Sequence, residues 1–199
     1  MRIGLDFDNT IVCYDEAFHT LALEHKAIPA DLPRKKEDVK AYLQAQGRND
    51  FWTELQGFAY GPRMETATVF PGFEQFLSEA KSKNLEIFIV SHRSPRPYSG
   101  LDCDLHVAAR TWLQNRAWYQ NGQIKPAQIF FEATKTGKID KIKSLNLDVF
   151  VDDLPEILAH EDFPERTRKI LFCPSGVVEK WTGSLVRSWS EISPILKLT

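Results

Sequence analysis

The feature that most constrains the fold of this chain is the alternation of short apolar runs with segments of helical periodicity. The apolar runs, most of them rich in β-branched or aromatic residues, lie at 3–5, 85–90, 128–131, 147–151 and 169–172. Runs of this kind, without apolar–polar alternation, are typical of strands that are buried on both faces. Segments with helical patterns lie between them, at 15–25, 73–80, 106–118 and 138–145.

Strands that alternate with helices predict an α/β fold, namely a doubly wound, Rossmann-like parallel sheet with right-handed crossovers. One stretch, 15–69, breaks the alternation, because it holds helical patterns, prolines and glycines but no convincing strand. A chain of 199 residues suits a single domain that carries a small insert. We therefore predict a core made of 1–14 and 70–199, with a small helical unit, 15–69, inserted after the first strand.

Composition argues against several classes of function. The 25 basic and 27 acidic side chains give a formal net charge of −2, which provides no basic surface for nucleic acid or for an anionic membrane. The three cysteines, Cys13, Cys103 and Cys173, are far apart, which suits a reducing compartment better than zinc or disulfide chemistry. No apolar run approaches the length of a membrane span, and aspartates interrupt the first run. We expect a soluble, cytoplasmic protein.

The strongest motif directly follows the first apolar run. Asp6 and Asp8 are spaced by two residues, so both carboxylates can face one cleft at the end of a strand while Phe7 points away. A turn or helix cap is the alternative interpretation, since aspartate is common in both. A calcium-binding EF-hand loop does not fit, because Ile11 stands where such a loop needs glycine.

A second pair of acids, Asp152 and Asp153, follows the run 147–151 and should lie at the same edge of the sheet. The alternative is a helix N-terminus, where aspartate caps well. Four carboxylates at one edge repel one another strongly unless a cation lies among them, and oxygen ligands beside a phosphate favour Mg²⁺. The predicted metal ligands are Asp6, Asp8, Asp152 and Asp153.

Two further signals carry little information by themselves. Ser91 follows the run 85–90, and a hydroxyl at the end of a strand can bind a phosphate oxygen. Lys138 stands near the start of a helical pattern, from which a lysine can reach and neutralise a phosphate. Lys135 and Lys141 are competing candidates for that lysine.

The order of these motifs resembles that of the haloacid dehalogenase-like hydrolase superfamily over residues 3 to about 160. The resemblance implies that Asp6 is a nucleophile that forms an aspartyl-phosphate, and that Asp8 is the acid/base. It implies that Thr10 and Ser91 orient these groups and bind phosphate, and that Lys138 neutralises charge. The aspartate pair and the backbone carbonyl of Asp8 would then hold Mg²⁺, and 15–69 would be the helical cap.

Asp8 also narrows the expected reaction. Members of that superfamily that cleave carbon–halogen bonds lack an acid at this position, because halide leaves without a proton, whereas an alkoxide leaving group needs one. We therefore predict a magnesium-dependent phosphatase acting on a small phosphorylated metabolite, such as a nucleotide or sugar phosphate. A phosphotransferase or mutase and a non-catalytic phosphate-binding module stay open. A P-loop kinase does not fit, because Ile139 follows Gly137-Lys138 where serine or threonine is needed.

Substrate discrimination is expected from the insert and from the loop after Ser91. Within 15–69, Arg63 follows an aromatic stretch at 58–60, and its guanidinium can bind a second anionic or polar group. The aromatic residues themselves suit either substrate contact or the core of the cap. His92 and Arg93 are also predicted to contact the substrate.

Overall fold

The computed structural model describes residues 1–178 and 181–197, which divide into two compact units. The first unit contains Met1–Ile11, Val69–Arg93 and Arg116–Thr199, and the second contains Val12–Thr68 and Ser94–Asn115. The second unit therefore includes 94–115, which the sequence analysis kept with the core. One contact that joins this segment to the rest of its unit is a hydrogen bond from Trp112 Nε1 to the Ala67 carbonyl, at 3.0 Å.

Eight strands occur in the described ranges. They are β1 (Arg2–Leu5), β2 (Val12–Cys13), β3 (Thr68–Val69), β4 (Glu86–His92), β5 (Ile129–Glu132), β6 (Val149–Asp152), β7 (Arg168–Phe172) and β8 (Ser184–Val186). Six of them form one sheet in the order β5-β4-β1-β6-β7-β8, and β2 pairs with β3.

The six-stranded sheet is parallel, which confirms the predicted α/β fold. β1 is central, with Ile3 opposite Ile87 of β4 on one side and opposite Val149 of β6 on the other. The strand order reverses at β1, so the carboxyl ends of β4, β1 and β6 border the place where such sheets bind ligands. The five predicted runs correspond to β1 and β4–β7, whereas β8 was not predicted because three residues leave too short a pattern.

Nine helices occur in the same part of the chain. They are α1 (Asp15–Glu24), α2 (Lys36–Ala45), α3 (Asn49–Tyr60), α4 (Phe73–Ser82), α5 (Leu105–Gln114), α6 (Ala117–Gln120), α7 (Lys135–Ser144), α8 (Pro155–Leu158) and α9 (Ile192–Ile195). Short 3-10 helices lie at Met64–Thr66, Pro126–Gln128 and Trp189–Glu191. Among the described residues, no helix combines the length and apolarity that crossing a membrane requires.

Two local predictions were wrong. The helix predicted over 106–118 is divided, because Arg116 is extended at φ −100° and ψ 132° between the end of α5 and the start of α6. The stretch 15–69 was expected to contain no strand, yet Thr68–Val69 forms β3. A two-residue strand shows no periodicity that sequence analysis could detect.

Aromatic side chains build the interior of the second unit. Phe18 stacks on Trp52 with 4.7 Å between ring centroids, and Tyr60 meets Phe18 edge-on at 5.7 Å. Tyr14, at the start of α1, meets Tyr60 edge-on at 4.8 Å. Such pairs stabilise packing beyond the area they bury, so these rings hold α1 against α3 and belong to the core of the unit.

Candidate active site

Two adjacent strands bring the first carboxylates together. The backbone N–H of Asp6, just past β1, donates to the Val151 carbonyl at 2.8 Å and so extends the pairing of β1 with β6. That register places Asp6 beside Asp152, the last residue of β6. Both side chains are buried, with whole-residue exposures of 4% for Asp6 and 0% for Asp152.

A buried lysine bridges these two carboxylates. Lys138 Nζ lies 2.6 Å from Asp6 Oδ1 and 2.6 Å from Asp152 Oδ2, and the lysine is only 1% exposed. Lys138 lies one turn into α7, a helix whose first turn is capped by the Thr134 hydroxyl accepting the Gly137 N–H at 3.0 Å. The two competing lysines lie elsewhere: Lys135 pairs with Glu156 at 3.3 Å, and the Lys141 ammonium lies 4.6 Å from the centre of the Phe130 ring.

The cluster holds more negative charge than Lys138 balances. One carboxylate oxygen each from Asp6, Asp152 and Asp153 lies within 4.8 Å of the others. Burial raises the pKa of Asp6 to about 7, against the opposing effect of Lys138. Burial by itself would lower the pKa of Lys138, but Asp152 and Asp6 outweigh it and raise that pKa. A divalent cation would relieve this imbalance.

The donor set fits a hard cation. Carboxylate oxygens are the ligands that Mg²⁺ takes in proteins, and Asp6, Asp152 and Asp153 offer them within one small volume. The alternative interpretation of Asp152 as a helix-start residue also holds in part, because its Oδ1 accepts the Leu154 N–H at 2.9 Å, next to α8. The two roles are compatible, since that hydrogen bond uses Oδ1 while Oδ2 faces Lys138.

Asp8 lies in a different electrostatic setting. Both of its carboxylate oxygens accept hydrogen bonds from Arg93 Nη1, at 2.6 and 2.8 Å. Its side chain is therefore engaged with a cation of the protein and is not a member of the three-carboxylate cluster. The predicted part of Asp8 in metal binding rests on its backbone carbonyl.

Two predicted phosphate-binding hydroxyls are buried. Thr10 is 0% exposed and Ser91 is 1% exposed, and neither hydroxyl has a hydrogen-bond partner within the described residues. Buried polar atoms are normally paired, so each hydroxyl is available to a bound ligand. His92, at the end of β4, is half-buried, and burial together with nearby Lys138 lowers the pKa of its ring.

Arg63 belongs to the second unit and is engaged there. Its guanidinium donates to both oxygens of Glu24, at 2.7 and 3.0 Å, and its Nε lies 3.5 Å from Glu65. One third of its side chain is exposed. Its role in substrate selection stays a prediction.

Sequence analysis missed two contributions to this region. Arg93 was predicted to contact substrate, and its pairing with Asp8 was not foreseen. The spacing of Ser91 and Arg93 was the available signal, because side chains two residues apart in an extended chain point to the same face of the sheet. Trp189 was not singled out, yet its Nε1 donates to the Thr10 carbonyl at 3.0 Å and anchors the loop after β1. Thr10 and Trp189 are 179 residues apart, so no local pattern reveals the contact.

No protein-family model matches the chain, and no curated protein sequence matches it. Solved structures do match over nearly its whole length. A haloacid dehalogenase family hydrolase from Deinococcus radiodurans R1, with bound phosphate and sodium, shares 11% identity at a TM-score of 0.60, covering 99% of this chain and 95% of that one. The fold is that of the haloacid dehalogenase superfamily.

Other proteins with the haloacid dehalogenase fold carry different descriptions. A phosphoserine phosphohydrolase-like protein from Francisella tularensis is 16% identical at a TM-score of 0.54, covering 98% of this chain and 99% of that one. Protein Tyrosine Kinase A from Mycobacterium tuberculosis is 12% identical at a TM-score of 0.63, covering 98% and 97%. At these identities the likeness establishes the fold, and the chemistry of this chain has to be argued from its own residues.

Proposed function

We propose that the chain is a Mg²⁺-dependent phosphatase that hydrolyses a small phosphate monoester through a phospho-aspartate on Asp6. The observation that carries the proposal is the cluster of buried Asp6 and Asp152 with half-buried Asp153, whose carboxylate oxygens lie within 4.8 Å of one another beside Lys138. Phosphoryl transfer depends mainly on positioning and on charge neutralisation. A buried carboxylate held by a lysine and flanked by further metal-ligating oxygens provides for both.

In the proposed reaction, an Asp6 oxygen attacks phosphorus while the ester oxygen leaves with a proton from Asp8. Water then attacks the phosphorus of the aspartyl-phosphate and gives a proton to Asp8, which releases inorganic phosphate and restores the Asp6 carboxylate. Lys138 orients Asp6 through their hydrogen bond. Mg²⁺, held by Asp6, Asp152, Asp153 and the Asp8 carbonyl, would neutralise charge on the phosphoryl oxygens.

The hydroxyls and the second acid favour a phosphate ester over a haloacid. Thr10 and Ser91 offer two buried, unpaired hydroxyls that can donate to phosphoryl oxygens. Asp8 keeps part of its side chain accessible, with 19% exposed, so it can reach a leaving oxygen. A halide leaving group would have no use for that acid. These features support phosphate-ester hydrolysis as the function of the site.

The test is release of inorganic phosphate from p-nitrophenyl phosphate in the presence of Mg²⁺. We expect chelation to abolish release, and we expect Asp6→Asn to lower turnover on the order of 10⁵–10⁶-fold, as removal of other enzymes' nucleophiles does. Asp148→Asn is a matched control, because Asp148 accepts the Arg2 N–H away from the cluster. Turnover that survives in Asp6→Asn would remove Asp6 as the nucleophile.

The same assay separates hydrolysis from transfer. Since one protein of this fold is described as a tyrosine kinase, the reaction should also be run with an added alcohol and with detection of its phosphorylated product. We expect free phosphate to account for the substrate consumed. Quantitative transfer to the alcohol would replace the phosphatase by a phosphotransferase that uses the same Asp6 intermediate.

A further inference from the structure

Arg93 occupies an unusual position for a residue that was predicted to bind substrate. Its side chain is 3% exposed, whereas the Asp8 side chain that it contacts is 19% exposed. The carboxylate therefore keeps more accessible surface than the guanidinium that contacts it.

Arg93 is fixed by its backbone and by an aromatic ring. Its backbone N–H donates to the Glu132 carbonyl at 2.9 Å, which continues the pairing of β4 with β5 beyond the end of β4. Its guanidinium carbon lies 6.0 Å from the centre of the Phe7 ring, at the limit of a cation–π contact. Phe7 is fully buried and meets Phe131 of β5 edge-on at 5.3 Å. Arg93 is thus held by a strand-pairing hydrogen bond and lies next to a buried aromatic ring, which limits its movement.

The contact with Asp8 uses both carboxylate oxygens. Arg93 Nη1 lies 2.6 Å from Asp8 Oδ1 and 2.8 Å from Oδ2, so the hydrogen bonds limit rotation of the carboxylate group. A group that transfers protons works only when it is held within hydrogen-bond reach of the reacting oxygen. Catalytic bases are commonly oriented in this way by a third side chain.

We propose that Arg93 is a positioning residue that orients the Asp8 carboxylate for proton transfer, and that it does not bind the substrate's phosphate. The inference rests on the proposed phosphatase function, because it assigns Arg93 to the acid/base step of that reaction. It makes a distinctive claim: the effect of Arg93 on catalysis passes through Asp8.

A double-mutant cycle tests this claim with wild type, Arg93→Met, Asp8→Asn and the double variant. The substrates are phenyl phosphate and p-nitrophenyl phosphate, which match in size and differ in how much their leaving oxygen needs a proton. We expect Arg93→Met to lower kcat for phenyl phosphate by about 10–100-fold, part of the usual acid/base contribution, with less loss for the nitrophenyl ester and little change in KM. In the Asp8→Asn background the same substitution should change kcat by less than about 2-fold.

Arg93→Lys is a second variant that tests the positioning role of Arg93 and replaces Arg93→Met if that variant does not fold. Lysine keeps the charge but not the planar guanidinium, so its kcat for phenyl phosphate should lie between those of Arg93→Met and wild type. If Arg93→Met does not fold, Arg93→Lys in the two Asp8 backgrounds completes the cycle. Arg34→Met is the matched control, since Arg34 forms an exposed pair with Glu16 in the second unit, and it should leave both substrates unaffected.

Affinity for inorganic phosphate provides a readout that needs no turnover. Calorimetry with Mg²⁺ should give the same Kd for Asp8→Asn and for the double variant. A Kd weakened about 10-fold or more by the Arg93 substitution, or equal losses of kcat in both backgrounds, would overturn the inference and make Arg93 a phosphate ligand. A wild type that releases phosphate from neither ester would instead overturn the proposed function, so the two failures are distinguishable.

Discussion

Two cations of this chain each hold two carboxylates, one inside the first unit and one at the surface of the second. Lys138 is 1% exposed and lies 2.6 Å from both Asp6 and Asp152. Arg63 is 33% exposed and lies 2.7 Å from Glu24 and 3.5 Å from Glu65. The ion-pair chemistry is the same, and the surroundings differ.

The pKa values of the carboxyl groups shift in opposite directions in the two places, because their surroundings differ. Burial raises the pKa of Asp6 to about 7 even though Lys138 touches it. The hydrogen bonds from Arg63 lower the pKa of Glu24, because this exposed carboxylate stays hydrated and desolvation opposes its charge less than the hydrogen bonds favour it. One lysine between two buried carboxylates suits the further cation of the proposed function, whereas the same ratio at the surface only links α1 to the segment after α3.

The largest expected effect is the loss of Lys138. Lys138→Met leaves two buried carboxylates without their shared partner, and breaking a buried pair in this way typically costs about 3–5 kcal/mol of the free energy of unfolding. We also expect phosphatase turnover to fall, since Asp6 loses the group that orients it. Urea unfolding in the absence of metal measures the first effect.

Arg63→Met is the matched substitution for that experiment, because it removes a cation that also contacts two carboxylates. Exposed pairs contribute little to stability, so its unfolding midpoint should stay close to that of wild type. Equal destabilisation by the two substitutions would break the comparison and show that burial is not what separates the two clusters.

The next largest effect is expected at Asp8, which pairs with Arg93 next to the cluster of Asp6, Asp152 and Asp153. Asp8→Ala should lower kcat by about 10²–10⁴-fold for phosphates with poor leaving groups, and by less for p-nitrophenyl phosphate, because general acid/base catalysis is lost. Mg²⁺ affinity should persist, as the backbone carbonyl of residue 8 remains. A loss of the same size for every leaving group would make Asp8 a structural partner of Arg93 and nothing more.

A pH series sharpens the contrast further. The pKa of Asp6 in the folded, metal-free protein, about 7, lies above the usual value of 3.8 for an aspartate side chain. A raised pKa of an acid means that the proton stabilises the fold; this contribution is fully present below the unfolded pKa and is lost as pH rises through about 7. Metal-free wild type should therefore lose stability relative to Asp6→Asn between pH 5 and pH 8.

Mg²⁺ binding should show the complementary trend, because the metal competes with the proton for Asp6. The increase in Tm on adding Mg²⁺ should grow from pH 5 to pH 8 in wild type, and it should be small throughout in Asp6→Asn. A metal-induced increase that is the same at both pH values would contradict the raised pKa of Asp6.

The smallest expected effect is that of Arg63 on catalysis. Because Glu24 and Glu65 already engage its guanidinium, Arg63→Ala should leave kcat and KM for p-nitrophenyl phosphate unchanged. The sequence-based hypothesis of a specificity role predicts instead a changed order of preference across a panel of phosphorylated metabolites. A changed order would mean that Arg63 exchanges Glu24 for a substrate group, and an unchanged one would restrict Arg63 to a structural role.

The sequence by itself determined the fold class and the positions of the chemistry along the chain. Unbroken apolar runs predicted the strands of the parallel sheet, and acids or hydroxyls directly after them had to lie at one edge, because parallel strands end on the same side. Asp6, Ser91 and Asp152 follow from that rule. The same rule said nothing about β3 or β8, whose two and three residues are too short to show a period.

Only the tertiary structure decided which of these groups touch. Lys135, Lys138 and Lys141 are equivalent as sequence, and α7 selects Lys138 because its position on the helix points it at Asp6, 132 residues away. The sequence predicted that Arg93 contacts substrate and did not reveal its contact with Asp8, 85 residues away. Local patterns fix where a side chain leaves the backbone, whereas charge balance depends on every group that packing brings within a few ångströms.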